Sequence, residues 1–349
     1  MKLLIIGGTQ FMGRHLTSAA LARGWEVTLF NRGQTNPGLF PDVEEVHGDR
    51  TKGLSALQGR HWDVVIDPSG FLPQVIRDNV RTLARLTDHY TFISSVSAYA
   101  SFAHPHITET SPLAPLPKDS PSDTLTGENY GALKVLCEQA AEQEMPSRVL
   151  TIRPGLIVGP YDPSNRFTYW CRRLSQGGEI LAPGQPGLPV QYIDVRDLAE
   201  WILDMAQARH VGIYNAIGPA KRLTIGEFLE EGRQTLNPDA TLFWADDQFL
   251  GAHQVQPWTE MPLYIPEGGP WIEQHGSMQG FLQISNAKAL QSGLTFRPLS
   301  ETLKDTWHWE KNRVLSLPKP ARAYQSIAGM DADREGELLE LLKKEKMAP

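Results

Sequence analysis

Cysteine is nearly absent from this chain: Cys137 and Cys171 are the only two in 349 residues. Two thiols build neither a multi-bridge disulfide framework nor a cysteine zinc cluster, so a reducing, cytoplasmic location is expected. Long hydrophobic runs are also lacking. No apolar stretch nears the roughly 18 residues of a membrane-spanning helix, which argues against an integral membrane protein. The opening MKLLIIGG holds four apolar residues before Gly-Gly, too few for a secretory signal. Positive charge is short as well, with 33 Lys and Arg against 40 Asp and Glu and a formal net charge of −7. That balance argues against nucleic-acid binding through bulk charge. What is present is an ordinary globular mix, 41% hydrophobic and 21% charged, which excludes disorder as the main state. At roughly 100–200 residues per domain, the length suggests two domains, or one with a lobe.

The first thirty residues carry the first signal. Residues 2–6 form an apolar run of the buried-strand type, Gly7-Gly8-Thr9 breaks it, and 11–23 shows helical spacing in Phe11, Met12, Leu16, Ala19 and Ala20 before Gly24. Residues 26–30 read as a second strand. A β-α-β unit this short calls for a parallel sheet with a right-handed crossover. Its glycine turn lets backbone N–H groups meet a pyrophosphate at the helix N-terminus. Gly7, Thr9, Gln10, Phe11, Met12 and Gly13 are therefore assigned to a dinucleotide. Gln10 stands where the usual fingerprint has Gly, and its bulk predicts a turn set further from the phosphates. The second strand ends at Asn31-Arg32, where an acidic residue would hold the ribose hydroxyls of NAD. An amide beside a guanidinium suits a 2′-phosphate, so NADP is expected over NAD. The plain alternative is an Arg32 solvated in its loop.

Strands at 43–47, 62–67 and 90–94 continue the rhythm, with a helix over 72–86. In an open α/β sheet, ligands lie beyond the strand carboxyl ends. That places Asp49 near an adenine amine and adds Asp67, Pro68, Ser69 and Ser94 to the cofactor edge. Residues 100–126 form a long Pro/Ser/Thr-rich loop of the kind used as a lid. Its His104-x-His106 pair lacks a nearby carboxylate or cysteine cluster, so no metal is expected. A helix over 127–141 puts Tyr130 and Lys134 four apart on one face. An ammonium beside a phenol favours phenolate, and a tyrosine so tuned works as acid or base on a hydroxyl or carbonyl.

The motifs GGTQFMG, FISSVSAY, Tyr130-x-x-x-Lys134, IRPGLIVGP at 152–160 and QYIDVRDLA at 191–199 occur in this order over about residues 1–210. Together they resemble an extended short-chain dehydrogenase/reductase of the NAD-dependent epimerase/dehydratase family, with an atypical glycine motif. The resemblance implies Ser95, four before Tyr99, as the catalytic Ser/Thr, Tyr130 as acid/base and Lys134 as its partner. Tyr130 and Lys134 would also touch the cofactor, with Pro154 and Gly155 near the nicotinamide ribose. Two departures narrow the chemistry. Val96-Ser97 follows Ser95 where dehydratases of the family carry Asp-Glu, which argues against dehydration. Gly155 stands where many nucleotide-sugar enzymes carry Asn, which argues against a UDP- or GDP-sugar. The glycine motif also resembles that of plant chloroplast RNA-binding members.

The remainder carries less family signal. Ser97, Arg166 and Tyr169 are assigned to substrate: Arg166 for an anionic or polyhydroxyl group, Tyr169 or Trp170 for stacking on a ring unless these aromatics are core. Thr224 with Glu227 is a capping-box pattern. The segment 257–267, rich in Pro and aromatics, either walls a pocket or packs beneath a loop. The expected fold class is α/β, a Rossmann-type doubly wound parallel sheet with a smaller C-terminal α/β substrate lobe. Residues 1–153 form the dinucleotide-binding domain, with 187–213 returning to it. Residues 154–186 and 214–315 form the substrate lobe, and 316–349 a linker and a helix with a leucine stripe, docked on this chain or a second subunit. The expected function is an NAD(P)-dependent oxidoreductase or epimerase acting on a small polar molecule, a sugar derivative included. The alternative is a non-catalytic dinucleotide sensor or RNA-associated scaffold. Neither a membrane nor nucleic acid is the expected partner, and the resemblance allows a homodimer.

Overall fold

The computed structural model describes residues 1–314 and 328–347. Its first part runs β1 (Lys2–Ile6), α1 (Phe11–Ala22), β2 (Glu26–Asn31), β3 (Glu44–His47), β4 (Trp62–Asp67), α2 (Pro73–Leu83), β5 (Thr87–Ile93), α3 (Tyr130–Glu144) and β6 (Val149–Pro154). Then follow β7 (Ile157–Val158), α4 (Arg166–Gln176), β8 (Glu179–Pro183), β9 (Pro189–Asp194), α5 (Val195–Gln207) and β10 (Gly212–Ala216). The last part comprises β11 (Gly218–Thr224), α6 (Ile225–Leu236), β12 (Thr241–Ala245), α7 (Asp247–Ala252), α8 (Gly269–His275), α9 (Ala287–Gln291), α10 (Leu299–Val314) and α11 (Ala332–Met347).

Seven strands form one parallel sheet in the order β3-β2-β1-β4-β5-β6-β10. Helices on both faces explain why the inner strands are buried at nearly every position rather than at alternate ones. In β1, Leu3 and Ile5 pack with Leu16 and Leu198 on one face, while Leu4 and Ile6 pack with Ile76 and Ala140 on the other. The strand order reverses between β1 and β4, and the crevice beyond their carboxyl ends is where such sheets take ligands.

Two boundaries differ from the sequence pattern. The expected helix over 72–86 stops at Leu83, because β5 begins at Thr87 to pair with Trp62. The helix expected from 127 begins at Tyr130, because the Asn129 side chain is used upstream. Its amide donates to the Pro121 and Thr124 carbonyls, both at 2.9 Å, and its oxygen accepts from the Thr126 N–H at 2.8 Å.

Strand β9, within the segment assigned to the first domain, pairs instead with β7 and β11 in a three-stranded sheet, while α5 and β10 do join the large sheet. A parallel β8–β12 pair completes the second lobe. Its core gathers Phe167, Trp170, Phe228 and Leu263. The α11 stripe packs into the same core through Leu338, Leu339 and Leu342, with Leu341 left exposed, so the helix docks on its own chain. Buried Glu335 fixes it, accepting from Arg173 at 2.5 Å and from the Leu181 N–H at 3.0 Å. The linker expected at 316–323 lies outside the described residues. No helix among the described residues is long and apolar enough to cross a membrane.

The 100–126 loop is fastened at both sides. The Ala114 N–H donates to the Ala98 carbonyl at 2.8 Å. The Gly280 and His106 N–H groups donate to Phe102 and Gln283 carbonyls at 2.7 and 2.9 Å, bringing residues 280–284 against the loop.

Candidate active site

The glycine turn is built for close backbone approach. Gly7 and Gly8 adopt φ of 123° and 101°, a region that disfavours side chains. A Cβ on Gly13 would stand 2.7 Å from the Gly8 amide, so α1 meets the turn only through a glycine. Thr17 ties the two together, its hydroxyl donating to the Gly8 and Gly13 carbonyls. Gln10 itself lines the cavity that opens on this turn. It is exposed, lies in ordinary extended backbone at φ −129°, and its side chain caps nothing. The first turn of α1 has no acidic residue and no side-chain cap. Its N–H groups are therefore free for an anion, which fits the pyrophosphate of a dinucleotide.

A cavity of about 640 Å³ runs from this turn past Asn31, Arg32, Gln34, Thr35, Asp49 and Arg50 to Pro68 and Ser69. Asn31 shapes the loop: its oxygen accepts from the Gly33 N–H at 2.6 Å. Arg32 is exposed at the rim. Asp49 accepts from the Thr51 N–H and hydroxyl at 2.9 and 2.8 Å, and these bonds hold its carboxyl below the ordinary value.

Asp67 does not face the cofactor crevice as expected. It is 1% exposed, and its carboxylate accepts from Arg50 at 2.5 and 2.7 Å, the Tyr90 hydroxyl at 2.8 Å and the Ser69 N–H at 3.1 Å. Burial raises its pKa, but the Arg50 guanidinium outweighs burial and holds the group ionised. Arg50 lines the cavity in its place. Ser94 lines a second, neighbouring cavity, and its hydroxyl donates to Glu138, which is paired with the fully buried Arg153.

This second cavity, of about 430 Å³, shares Phe11, Met12, Pro68, Phe71 and Ile157 with the first. Ser95, Ser97, Tyr130, Lys134, Pro154 and Gly155 line it, so the structure brings together most of the residues assigned to chemistry. Gly131 makes this meeting feasible, since a Cβ there would lie 2.0 Å from the Ser97 carbonyl oxygen. Ser95 accepts from the Ser97 N–H at 3.1 Å, which fixes its hydroxyl at the strand end. Burial raises the Tyr130 pKa, and the Ser95 hydroxyl and the Arg166 charge pull it back in part.

Lys134 is not the group that tunes Tyr130. Its ammonium donates to the Gly70 and Ile93 carbonyls, both at 2.8 Å, between the rings of Phe71 and Phe92. Burial lowers its pKa to about 8. The expected lowering of the Tyr130 pKa by this lysine is replaced by a net rise from burial, and the ammonium is held by main-chain oxygens rather than by the phenol.

The substrate-side residues divide. Arg166 lines the cavity. Tyr169 does not: it is 3% exposed, packed edge-on against Trp170 at 5.0 Å in the second-lobe core. The ring wall comes from Trp258 and, beyond any sequence signal, from Phe281 and Leu282. Trp258 and Phe281 meet at 5.1 Å and Phe281 meets Phe102 at 5.0 Å, a ladder closing the cavity. The rest of 257–267 packs inward, with Met261, Leu263 and Tyr264 buried. Among the described residues, no group of three or more His, Cys, Asp or Glu is placed to hold a metal ion.

Known proteins share this architecture. The epimerase family protein SDR39U1 of Bos taurus is 29% identical over 248 residues, 65% of this chain and 78% of the relative. The chloroplast stem-loop binding protein of 41 kDa b of Arabidopsis thaliana is 28% identical over 222 residues, 58% of this chain and 54% of the relative. The UDP-glucuronic acid 4-epimerase of Bacillus cereus, solved with UDP-glucuronic acid and NAD, superposes with a TM-score of 0.62 at 16% identity, covering 90% of this chain and 100% of that one. The family model for the NAD dependent epimerase/dehydratase family matches residues 3–216, and the chain belongs to that family.

Proposed function

We propose that the chain is an NAD(P)-dependent oxidoreductase or epimerase acting on a hydroxyl/carbonyl pair of a small polar molecule of the sugar-derivative class. The observation that carries this reading is the placement of Tyr130 and Ser95 in a cavity continuous with the one that opens on the glycine turn. A nicotinamide dinucleotide, when bound, supplies the hydride acceptor and donor. The N–H groups of the turn and of α1 hold its pyrophosphate. Arg32, exposed and with no carboxylate at position 31, favours a 2′-phosphate and hence NADP.

The Tyr130 phenol, its pKa raised by burial, carries its proton at neutral pH. It donates that proton to a substrate carbonyl oxygen in reduction and takes one from the hydroxyl in oxidation. Ser95 hydrogen-bonds the same oxygen. Lys134 uses two of its three donors on main-chain oxygens and keeps one for the cofactor ribose. Reductase and epimerase use the same residues. They differ in whether the ketone leaves or turns over before the hydride returns.

The test is to purify the protein without added cofactor, denature it, and identify any released dinucleotide by mass. Retained NAD supports an epimerase and overturns the NADP assignment. An empty protein that binds NADPH reversibly supports a reductase. A protein that binds no dinucleotide supports the second reading, an RNA-associated scaffold, which the similarity to the chloroplast stem-loop binding protein favours. In that case Tyr130→Phe leaves its function intact.

A further inference from the structure

Among the described residues, buried Arg153 and most of the half-buried arginines have carboxylate partners. Arg153 pairs with Glu138, Arg50 with Asp67, Arg173 with Glu335, and Arg196 with Asp194. Arg166 breaks the pattern. Among the described residues its guanidinium makes no hydrogen bond or ion pair, and its Nε is fully buried without a partner. Its Cζ lies 5.2 Å from the Trp258 ring centroid, so the indole packs against it without using any of its N–H donors. Asp162, the carboxylate nearest in charge, is committed elsewhere, accepting from the Ser164 N–H and hydroxyl at 2.8 and 2.9 Å.

A guanidinium stays charged even where burial disfavours the charge, and an unpaired buried charge is costly. A protein that pairs most of its half-buried arginines keeps Arg166 unpaired in a cavity, with its Nε buried, only at the expense of stability. Functional sites are where such local conflicts concentrate. The positive end of α4, whose first residue is Arg166, adds to the same field.

We infer that the substrate carries an oxyanion group, carboxylate or phosphate, seated on Arg166 and a few bonds from the hydroxyl that Tyr130 handles. The inference rests on the oxidoreductase reading of this cavity. Arg166 and Tyr130 line the same cavity, and the charge of the first acts on the second. The planar fork of the guanidinium suits two parallel bonds to an oxyanion. The cavity of about 430 Å³ suits a sugar-sized acid, and Gly155, where many nucleotide-sugar enzymes carry Asn, argues against a nucleotide on it. Trp258 and Phe281 then cover its apolar face.

The experiment is calorimetric titration of the protein, loaded with the dinucleotide it binds, with four probes: glucuronate, glucose 6-phosphate, glucose and UDP-glucuronate. Wild type is expected to bind at least one of the two free anions about 10- to 100-fold more tightly than glucose. Arg166→Met should abolish that preference and Arg166→Lys retain part of it. Removing an unpaired charge should also raise the melting temperature of the ligand-free R166M protein. Preference for glucuronate or for glucose 6-phosphate distinguishes carboxylate from phosphate. Equal binding of glucose, binding of neither free anion, tighter binding of UDP-glucuronate than of both, or an anion preference that survives in R166M overturns the inference. Failure to bind any dinucleotide at the loading step overturns the oxidoreductase reading itself, which keeps the two failures apart.

Discussion

Gly131 and Ser97 touch backbone to backbone: a Cβ on Gly131 would stand 2.0 Å from the Ser97 carbonyl oxygen. This contact sets the first turn of α3, and with it Tyr130, against the strand end that carries Ser95. A main-chain oxygen cannot rotate away, so G131A must push the helix from the turn. The expected loss is about 1–3 kcal/mol, the usual cost of overpacking. Urea unfolding measures it, and an unchanged midpoint would mean that the helix start relaxes freely.

Arg50 lines the cavity at the glycine turn and is paired behind it with buried Asp67. Removing one partner strands the other, and R50M is expected to cost about 3–5 kcal/mol. The acid side follows from the direction of the Asp67 shift. Its folded pKa lies below the ordinary 3.8, so its contribution is complete above that value and fades as the pH falls through the folded one. D67N should flatten this part of the acid stability profile relative to wild type.

Lys134 predicts a slope of the same sign at high pH. Its folded pKa is about 8 against 10.5 for the free side chain. Between these values the unfolded chain holds a proton that the folded chain lacks, so this group makes stability rise with pH across the window. Below about 8 its contribution is flat. The test subtracts the stability profile of K134M from that of wild type over this range. A level difference would show that the buried ammonium titrates outside the window.

Arg32, exposed at the cavity rim, is the proposed cofactor discriminator. Arg32→Asp should turn preference from NADPH toward NADH by tenfold or more, since one charge-assisted phosphate contact contributes about 1.5–3 kcal/mol. Fluorescence titration of both reduced cofactors reads the ratio. Unchanged NADPH affinity would mean that the guanidinium is merely solvated.

The α11 stripe belongs to the second-lobe core. Leu342→Ala should cost about 2–5 kcal/mol by leaving a cavity there. Exposed Leu341→Ala should cost less than about 0.5 kcal/mol. Thermal melts of the two variants separate the faces, and equal effects would contradict the packing.

The elements readable from the chain alone are those whose causes lie a few residues apart. Apolar runs at 2–6 and 62–67, a glycine pair before a helix, and the reciprocal bonds of Thr224 and Glu227 are local. The four-residue step that puts Tyr130 and Lys134 on one helix face is local too. What that spacing could not decide is the neighbour each side chain meets. Lys134 found the carbonyls of Gly70 and Ile93, and Asp67 found Arg50 and Tyr90, because strand ends and loops distant in sequence converge there. Trp258 reached the cavity while Tyr169 sank into the core, although both are aromatics of the same lobe. Phe281 and Leu282 gave no local signal, since only the bonds between the 280–284 segment and residues 102–107 bring them to the site. Periodicity determined which residues share a face or a strand end. The packing of distant segments decided which faces meet, which charges are paired, and that Arg166 is left in a cavity with no partner among the described residues.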